Sequence, residues 1–398
     1  MSELKRASIK QRRRSLPLLI IVVVLIFCVY YSIYNAEVQL ITTNSSSDVK
    51  KRSCFSVRSD FEGPLEGVWK ESLDKPPWLE LSCKYQPAST SCSYYELPFN
   101  NRSLRLSKLR FHPVKCTLEA FNPERFLRSL KSRKLIIAGD SLSQQFFLSL
   151  MCRLQDFVLQ DNVIWGNVAH SQAKFCGING KCMPKVGQHT NFLENYTNPI
   201  WAKFEYNVTI RYISIKAEPI NEKLDFISSF STGSDIMVIN KGAWRQKGYK
   251  EFAARMQDFR NYYVANKDKL PIVWWRETNP QHFLGPNGDY VPGKRLPSKL
   301  KTCAKASPDR LSSSHVDPVN RITNRVMKEL EIPVMHTSHA MVSEFDAHLF
   351  KSGLDCTHIC TPGVDVIWVE YLYNWLKFEH LIISPGSPTL KAHLQKNA

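Results

Sequence analysis

The chain has 398 residues, of which 43% are hydrophobic and 11% aromatic, and a formal net charge of +17. That length exceeds one average domain, and that apolar content suffices for a real core, which excludes a chain too polar to fold. The basic balance favours anionic partners.

Residues 1–15 form a short tail carrying Lys5, Arg6, Lys10, Arg12, Arg13 and Arg14. Residues 16–34 follow as an almost uninterrupted apolar run without a charge, long enough for a helix that spans a bilayer. The positive-inside bias puts the tail in the cytosol and everything after residue 35 in a lumen. A cleaved signal peptide is the alternative. The run is long for that role, and no small-x-small site follows it, so an uncleaved signal anchor is expected. With six Lys/Arg and one Glu in the tail, +12 remains for the rest of the chain. In a lumen, such a surface suits an acidic glycan or the negative membrane surface rather than nucleic acid, and a merely solvated basic face is the bland alternative.

Residues 35–53 read as a Ser/Asn-rich stalk. Residues 54–122 hold four cysteines, several Pro and Trp and little periodicity, the texture of a disulfide-stapled lobe. Cys28 lies in the apolar run, and ten cysteines follow it: Cys54, Cys83, Cys92, Cys116, Cys152, Cys176, Cys182, Cys303, Cys356 and Cys360. An even count in an oxidising compartment reads as a disulfide framework. Four glycosylation sequons, at Asn44, Asn101, Asn195 and Asn207, fit the same compartment.

From residue 123 to about 380, helical and strand patterns alternate. Helices are expected over 124–132, 142–154, 249–266, 318–331 and 364–380, and strands over 135–138, 208–216, 235–240, 271–275 and 332–335. The run Ile236-Met-Val-Ile239 suits a strand covered on both faces. Strands alternating with helices argue for an α/β fold with a parallel, doubly wound sheet. Residues 169–198 read as an insertion, 280–314 as a long loop of the kind that often binds, and 381–398 as a flexible tail.

Two stretches carry chemistry. Lys134-Leu-Ile-Ile-Ala-Gly-Asp-Ser141 reads as a buried strand ending in a turn into a helix, which lifts the Ser141 hydroxyl to the C-terminal edge of a sheet. Far downstream, Asp355-Cys-Thr-His358 places a carboxylate and an imidazole three apart, so that on a single turn both lie on one face, just ahead of another helix. A serine hydroxyl needs a base, and the base needs an orienting carboxylate. Ser141, His358 and Asp355 supply those three roles. The backbone N–H of Ser141, the Asn240 amide and the Gly242 N–H could meet a developing oxyanion. Asp140 reads as a backbone anchor of the turn rather than a second catalytic acid. Cys356 and Cys360, flanking His358, could pass for metal ligands. Separate disulfides bracing that turn are the preferred reading, so no metal is expected. Cys176 with Cys182 could close a small loop, and Cys303 could tether the 280–314 loop to the turn.

Gly-Asp-Ser after a strand, Asn240-x-Gly242 after a middle strand, Arg276 with Pro280, His282 and Phe283, and Asp355-Cys-x-His-x-Cys-x-Pro-Gly363 resemble the trichome-birefringence-like group of polysaccharide O-acetyltransferases, within the SGNH/GDSL esterase superfamily. Ala243 stands where that family has His, and the Gly-Arg-Pro-Asp signature of its cysteine-rich lobe is absent. The resemblance implies an SGNH-like three-layer α/β/α sandwich with a smaller disulfide-rich N-terminal lobe. It implies Ser141 as nucleophile, His358 as base, Asp355 as orienter, and Asn240 and Gly242 completing the oxyanion hole. Arg276 and His282 become substrate-binding candidates, the former against an ordinary role as partner of a buried carboxylate. Trp244, with Trp274 and Trp275, could stack on sugar rings, although core packing is the default in a strand. The expected activity is transfer of an acetyl group, by way of acyl-Ser141, to a hydroxyl of a polysaccharide or oligosaccharide. It needs no organic cofactor beyond an acetyl donor, and takes place in a single-pass type II Golgi membrane protein. An acetylesterase using the same residues, or a non-catalytic glycan-binding protein, are the alternatives.

Overall fold

A computed structural model of the chain describes residues 102–383, apart from 167–197, 216–218, 244–247, 286, 291–301, 313–315 and 352, together with residues 53–55, 64–72, 83, 85 and 90–92. The anchor (16–34), the stalk up to residue 52, Asn44, Asn101, Asn195, Cys176, Cys182, Trp244 and the tail from 384 lie outside the described residues. Among the described residues no helix is long and apolar enough to cross a membrane.

In chain order the elements are β1 (Gly67–Glu71), α1 (Arg102–Lys108), β2 (Leu109–Pro113), α2 (Pro123–Ser129), β3 (Lys134–Gly139), α3 (Ser141–Arg153), β4 (Val158–Gly166), β5 (Asn198–Phe204), β6 (Val208–Ser214), α4 (Ile220–Ser228), β7 (Ile236–Ile239), α5 (Gly248–Asn266), β8 (Ile272–Arg276), α6 (Pro308–Leu311), α7 (Pro318–Glu329), β9 (Val334–Met335), β10 (His348–Lys351), β11 (Gly353–Ile359) and α8 (Val366–Ile383). Seven strands form one sheet in the order β4-β5-β6-β3-β7-β8-β9. From β6 to β9 all neighbours run parallel, while β4 and β5 add an antiparallel edge.

Strand β3 sits at the centre because its side chains are apolar on both faces, as a parallel sheet covered twice requires. Successive side chains of a strand point to opposite faces. Accordingly Leu135 and Ile137 join one core with Phe146, Phe147, Trp368 and Leu372 of α3 and α8, whereas Ile136 and Ala138 join a second with Leu224, Met256, Phe259 and Met327 of α4, α5 and α7. The result is the three-layer α/β/α sandwich.

The cysteine-rich stretch is laced into the sandwich, and residues Arg52–Ala398 form one compact unit. The β1–β2 pair reaches the C-terminal half through Trp69 Nε1, which donates to the Ala340 carbonyl at 2.5 Å. Phe55 packs edge-on against Tyr371 of α8 at 4.8 Å. Disulfides join Cys54 to Cys116, Cys83 to Cys152 on α3, and Cys92 to Cys360. Among the described sequons, Asn207 is exposed at the tight turn between β5 and β6, with φ 57°.

One local expectation is corrected. Asp355 and His358 do not share a helical turn. They belong to β11, which pairs antiparallel with β10, and the register slips between His348↔Ile359 and Leu349↔Asp355. Residues 356–358 are thus extra on one strand, a bulge that re-aims side chains as bulges beside active sites do.

Candidate active site

The site is built where β3 and β7 end. Gly139 turns the chain with φ 157°, and a Cβ there would come within 2.2 Å of Ser143 Oγ and 2.7 Å of the Asn240 carbonyl, so only glycine fits. Asp140 caps α3: one carboxylate oxygen accepts the Leu142 N–H at 3.0 Å, and the other accepts the Ala243 N–H at 3.3 Å. The buried carboxylate therefore holds two strand ends together, the anchoring role expected of it. Ser141, the first residue of α3, is left half-buried at the sheet edge.

The bulge delivers the rest. His358 Nε2 lies 2.6 Å from Ser141 Oγ, and His358 Nδ1 lies 2.6 Å from Asp355 Oδ2. The other Asp355 oxygen accepts the N–H groups of Thr357 and His358, each at 3.1 Å. Burial alone would push the Asp355 carboxyl up. The His358 ring and these two N–H groups outweigh it and hold the group at about 2.

Every residue of the bulge is fastened from outside. Cys356 is bonded to Cys303, and its carbonyl accepts the His282 N–H at 3.0 Å. Thr357 Oγ1 accepts from Gln281 Nε2 at 2.9 Å, and the His358 carbonyl faces His348 Nδ1 at 2.9 Å. The next residue, Ile359, is gripped by Gln145 of α3, whose Oε1 accepts the Ile359 N–H at 3.3 Å while its Nε2 donates to the Ile359 carbonyl. Gln145 stands four residues after Ser141, so one helix face carries both the serine and the amide that fixes the strand of His358. Both Cys356 and Cys360 are consumed by disulfides, which removes their thiolates as metal ligands.

Several expected site residues take other roles. The Asn240 Nδ2 donates both of its hydrogens inward, to the Arg276 carbonyl at 2.8 Å and to Thr278 Oγ1 at 3.0 Å, so this amide is not aimed at an oxyanion. Gly242 is a place of close approach, since a Cβ there would come within 2.2 Å of Thr278 Oγ1. Arg276, expected as a substrate-binding candidate, is 0% exposed. Its guanidinium lies over the Trp368 ring at 4.8 Å and donates to Ser143 Oγ at 3.2 Å, which supports the first turn of α3 from below. Burial lowers it to about 10, with the Asp140 carboxylate opposing that fall, so it stays a cation. His282 is buried too, between His348 and the Val342 carbonyl. Trp274 and Trp275 are core residues, the former stacked on Trp375 with centroids 4.0 Å apart. Sequence reasoning missed Gln145, Gln281 and His348. Of these only Gln145 carried a signal, its spacing from Ser141.

Comparison with known proteins agrees with this architecture. Residues 118–261 match the PC-Esterase family, described as a GDSL/SGNH-like acyl-esterase family found in Pmr5 and Cas1p. Among curated proteins, the chain is 24% identical to "Protein trichome birefringence-like 1" of Arabidopsis thaliana, over 85% of this chain and 66% of that protein. It is 23% identical to "Protein trichome birefringence-like 39" of the same plant, covering 84% of this chain and 91% of the relative. It is 21% identical to "Xylan O-acetyltransferase 13" of Oryza sativa subsp. japonica, covering 87% and 76%. Over a central segment the chain is thus similar to the PC-Esterase family, and over most of its length it is similar, at low identity, to proteins named trichome birefringence-like.

Proposed function

We propose that the protein transfers an acetyl group to a hydroxyl of a polysaccharide through an acyl-Ser141 intermediate. The observation that carries the reading is the line Ser141 Oγ–His358 Nε2 and His358 Nδ1–Asp355 Oδ2, each link 2.6 Å, at the C-terminal edge of a parallel sheet. Relatives named xylan O-acetyltransferase support the acyl group and the polymer class.

In the first half-reaction His358 Nε2 takes the Ser141 proton as Oγ attacks the acetyl carbonyl of an activated ester donor. The same proton then goes to the departing alkoxide or thiolate. In the second, His358 takes the proton of a sugar hydroxyl whose oxygen attacks the acyl carbon, and Ser141 Oγ leaves with that proton. Asp355, held ionised, keeps the Nδ1–H tautomer and stabilises the imidazolium between the steps. The N-terminal end of α3 presents its positive dipole end to the charge that develops beside Ser141. The four disulfides among the described residues fit synthesis in an oxidising compartment, in keeping with a Golgi-lumenal site anchored through residues 16–34.

The test offers the full chain p-nitrophenyl acetate with and without a panel of neutral and acidic oligosaccharides, and follows protein and sugars by mass spectrometry. Acetyl on Ser141 and on one class of sugar is the expected outcome, lost in Ser141→Ala. Acetate release with no acetylated sugar replaces the transferase with an esterase. No acyl-serine and no turnover refutes both.

A further inference from the structure

On the backbone side of His358 lie two more imidazoles that the acyl-transfer cycle does not use. His348 Nδ1 is 2.9 Å from the His358 carbonyl, His348 Nε2 is 2.7 Å from His282 Nδ1, and His282 Nε2 is 2.9 Å from the Val342 carbonyl. His348 and His282 are 3% and 1% exposed, so these contacts lie away from bulk water. The two carbonyls can only accept. Three contacts in line therefore call for three protons, whereas two neutral imidazoles carry two.

Burial pushes His282 down to about 4 and His348 to about 3. Arg310 adds to the fall at His282 while Asp346 opposes it. His282 and His358 add to it at His348, while Asp355 opposes it. The pair is thus neutral at pH 7, and keeping the central bond leaves one carbonyl to do without. Charge decides which. The Asp355 carboxylate, which outweighs the His358 ring, draws a proton toward the His348 end, and the Arg310 cation, which outweighs the Asp346 carboxylate, disfavours one at the His282 end.

We propose that His348 is a positioning residue for His358: its Nδ1–H holds the carbonyl of the bulged residue, and His282 Nδ1–H, donating to His348 Nε2, fixes that tautomer. The Val342 carbonyl is then the end left without a proton. The consequence is that the ring facing Ser141 is oriented from both sides, by Asp355 through its own Nδ1 and by His348 through its main chain.

The kinetic arm of the test rests on the proposed acyl transfer, and the spectroscopic arm does not. In the full chain labelled with 15N-histidine, two-bond 1H–15N correlation at pH 7 reads the tautomer of each ring, in wild type and in Ser141→Ala. The expected result is a proton on Nδ1 of His348 and on Nδ1 of His282; protons on Nε2 of both rings overturn the proposal, whether or not Ser141 is ever acylated. An Asn amide nitrogen takes the place of imidazole Nδ1, and a Gln amide nitrogen that of Nε2. With p-nitrophenyl acetate, His348→Gln is expected to lower kcat about tenfold or more at unchanged KM, and His348→Asn to rescue it to within about threefold of wild type. Equal loss in both folded variants overturns the proposal, since a merely space-filling role does not distinguish the two amides.

Discussion

Replacing Gln145 by Leu keeps the volume in the core but removes both partners of the Ile359 backbone. The amide is buried, its oxygen takes the Ile359 N–H and its nitrogen serves the Ile359 carbonyl, so two main-chain groups are orphaned at once. Each unsatisfied buried group costs about 1–3 kcal/mol, which puts the loss at about 2–6 kcal/mol. The same bonds hold the strand of His358 against the helix of Ser141. A misplacement on the order of 1 Å there lowers kcat about 100-fold. Urea unfolding followed by tryptophan fluorescence gives the first quantity, and hydrolysis of p-nitrophenyl acetate without denaturant gives the second. Gln145→Glu sharpens the contrast, because it keeps the acceptor for the N–H and turns a carboxylate oxygen toward the Ile359 carbonyl. It is expected to fall below Leu at pH 8. A Leu variant with wild-type midpoint and wild-type kcat would refute the idea that this amide couples nucleophile to base.

Asp355→Asn turns an amide N–H toward His358 Nδ1 and forces the ring proton onto Nε2, where it can no longer accept from Ser141. The expected fall in kcat is about 10⁴-fold, and a loss under tenfold in steady-state hydrolysis would contradict the assigned orientation. Converting both Cys303 and Cys356 to Ala opens a loop of 53 residues, a chain-entropy cost of about 4 kcal/mol readable as a lower Tm, together with reduced kcat as the bulge loosens. Gly139→Ala drives a methyl into Ser143 and the Asn240 carbonyl and is expected to abolish accumulation of folded protein, measured by soluble yield. Glu370 is 5% exposed, and burial raises it to about 7 against the pull of Arg110 and Arg153. A raised carboxyl contributes stability below its unfolded value of about 4.5 and loses it as pH climbs through about 7. Glu370→Gln should therefore be more stable than wild type at pH 8, by up to about 3 kcal/mol, with the difference fading below pH 4.5. Equal melting temperatures at pH 8 would show that Glu370 keeps its ordinary carboxyl behaviour.

The parallel sheet was legible because its strands are short apolar runs set between amphipathic helices, and β3 with Gly139-Asp-Ser141 announced its own turn. The β10–β11 hairpin was not, since three extra residues on β11 break the alternation by which strands are read. Strands β1 and β2 were hidden for a different reason, their pairing partners lying about 40 residues apart within a cysteine-rich stretch. Helix α4 starts after Pro219 without a side-chain cap, so the usual start signal is missing. The resemblance made Arg276 and His282 substrate-binding candidates, and the place of Asn240 after a middle strand made it an oxyanion-hole candidate. In the fold each is buried and spent on neighbouring main chain and side chains, which only three-dimensional neighbours reveal.

The lacing of residues 53–92 into the C-terminal half bears on how the chain is made. A ribosome delivers Cys54, Cys83 and Cys92 long before Cys360, and Cys92 must wait for 268 residues of synthesis before its partner emerges. Cys54 with Cys116 and Cys83 with Cys152 can close early, over separations of 62 and 69. Until the last residues arrive, Trp69 has no Ala340 carbonyl and Phe55 has no Tyr371 to pack on. Nascent protein truncated before residue 360 should therefore hold a Cys92 thiol without its partner, open to alkylation and to mispairing.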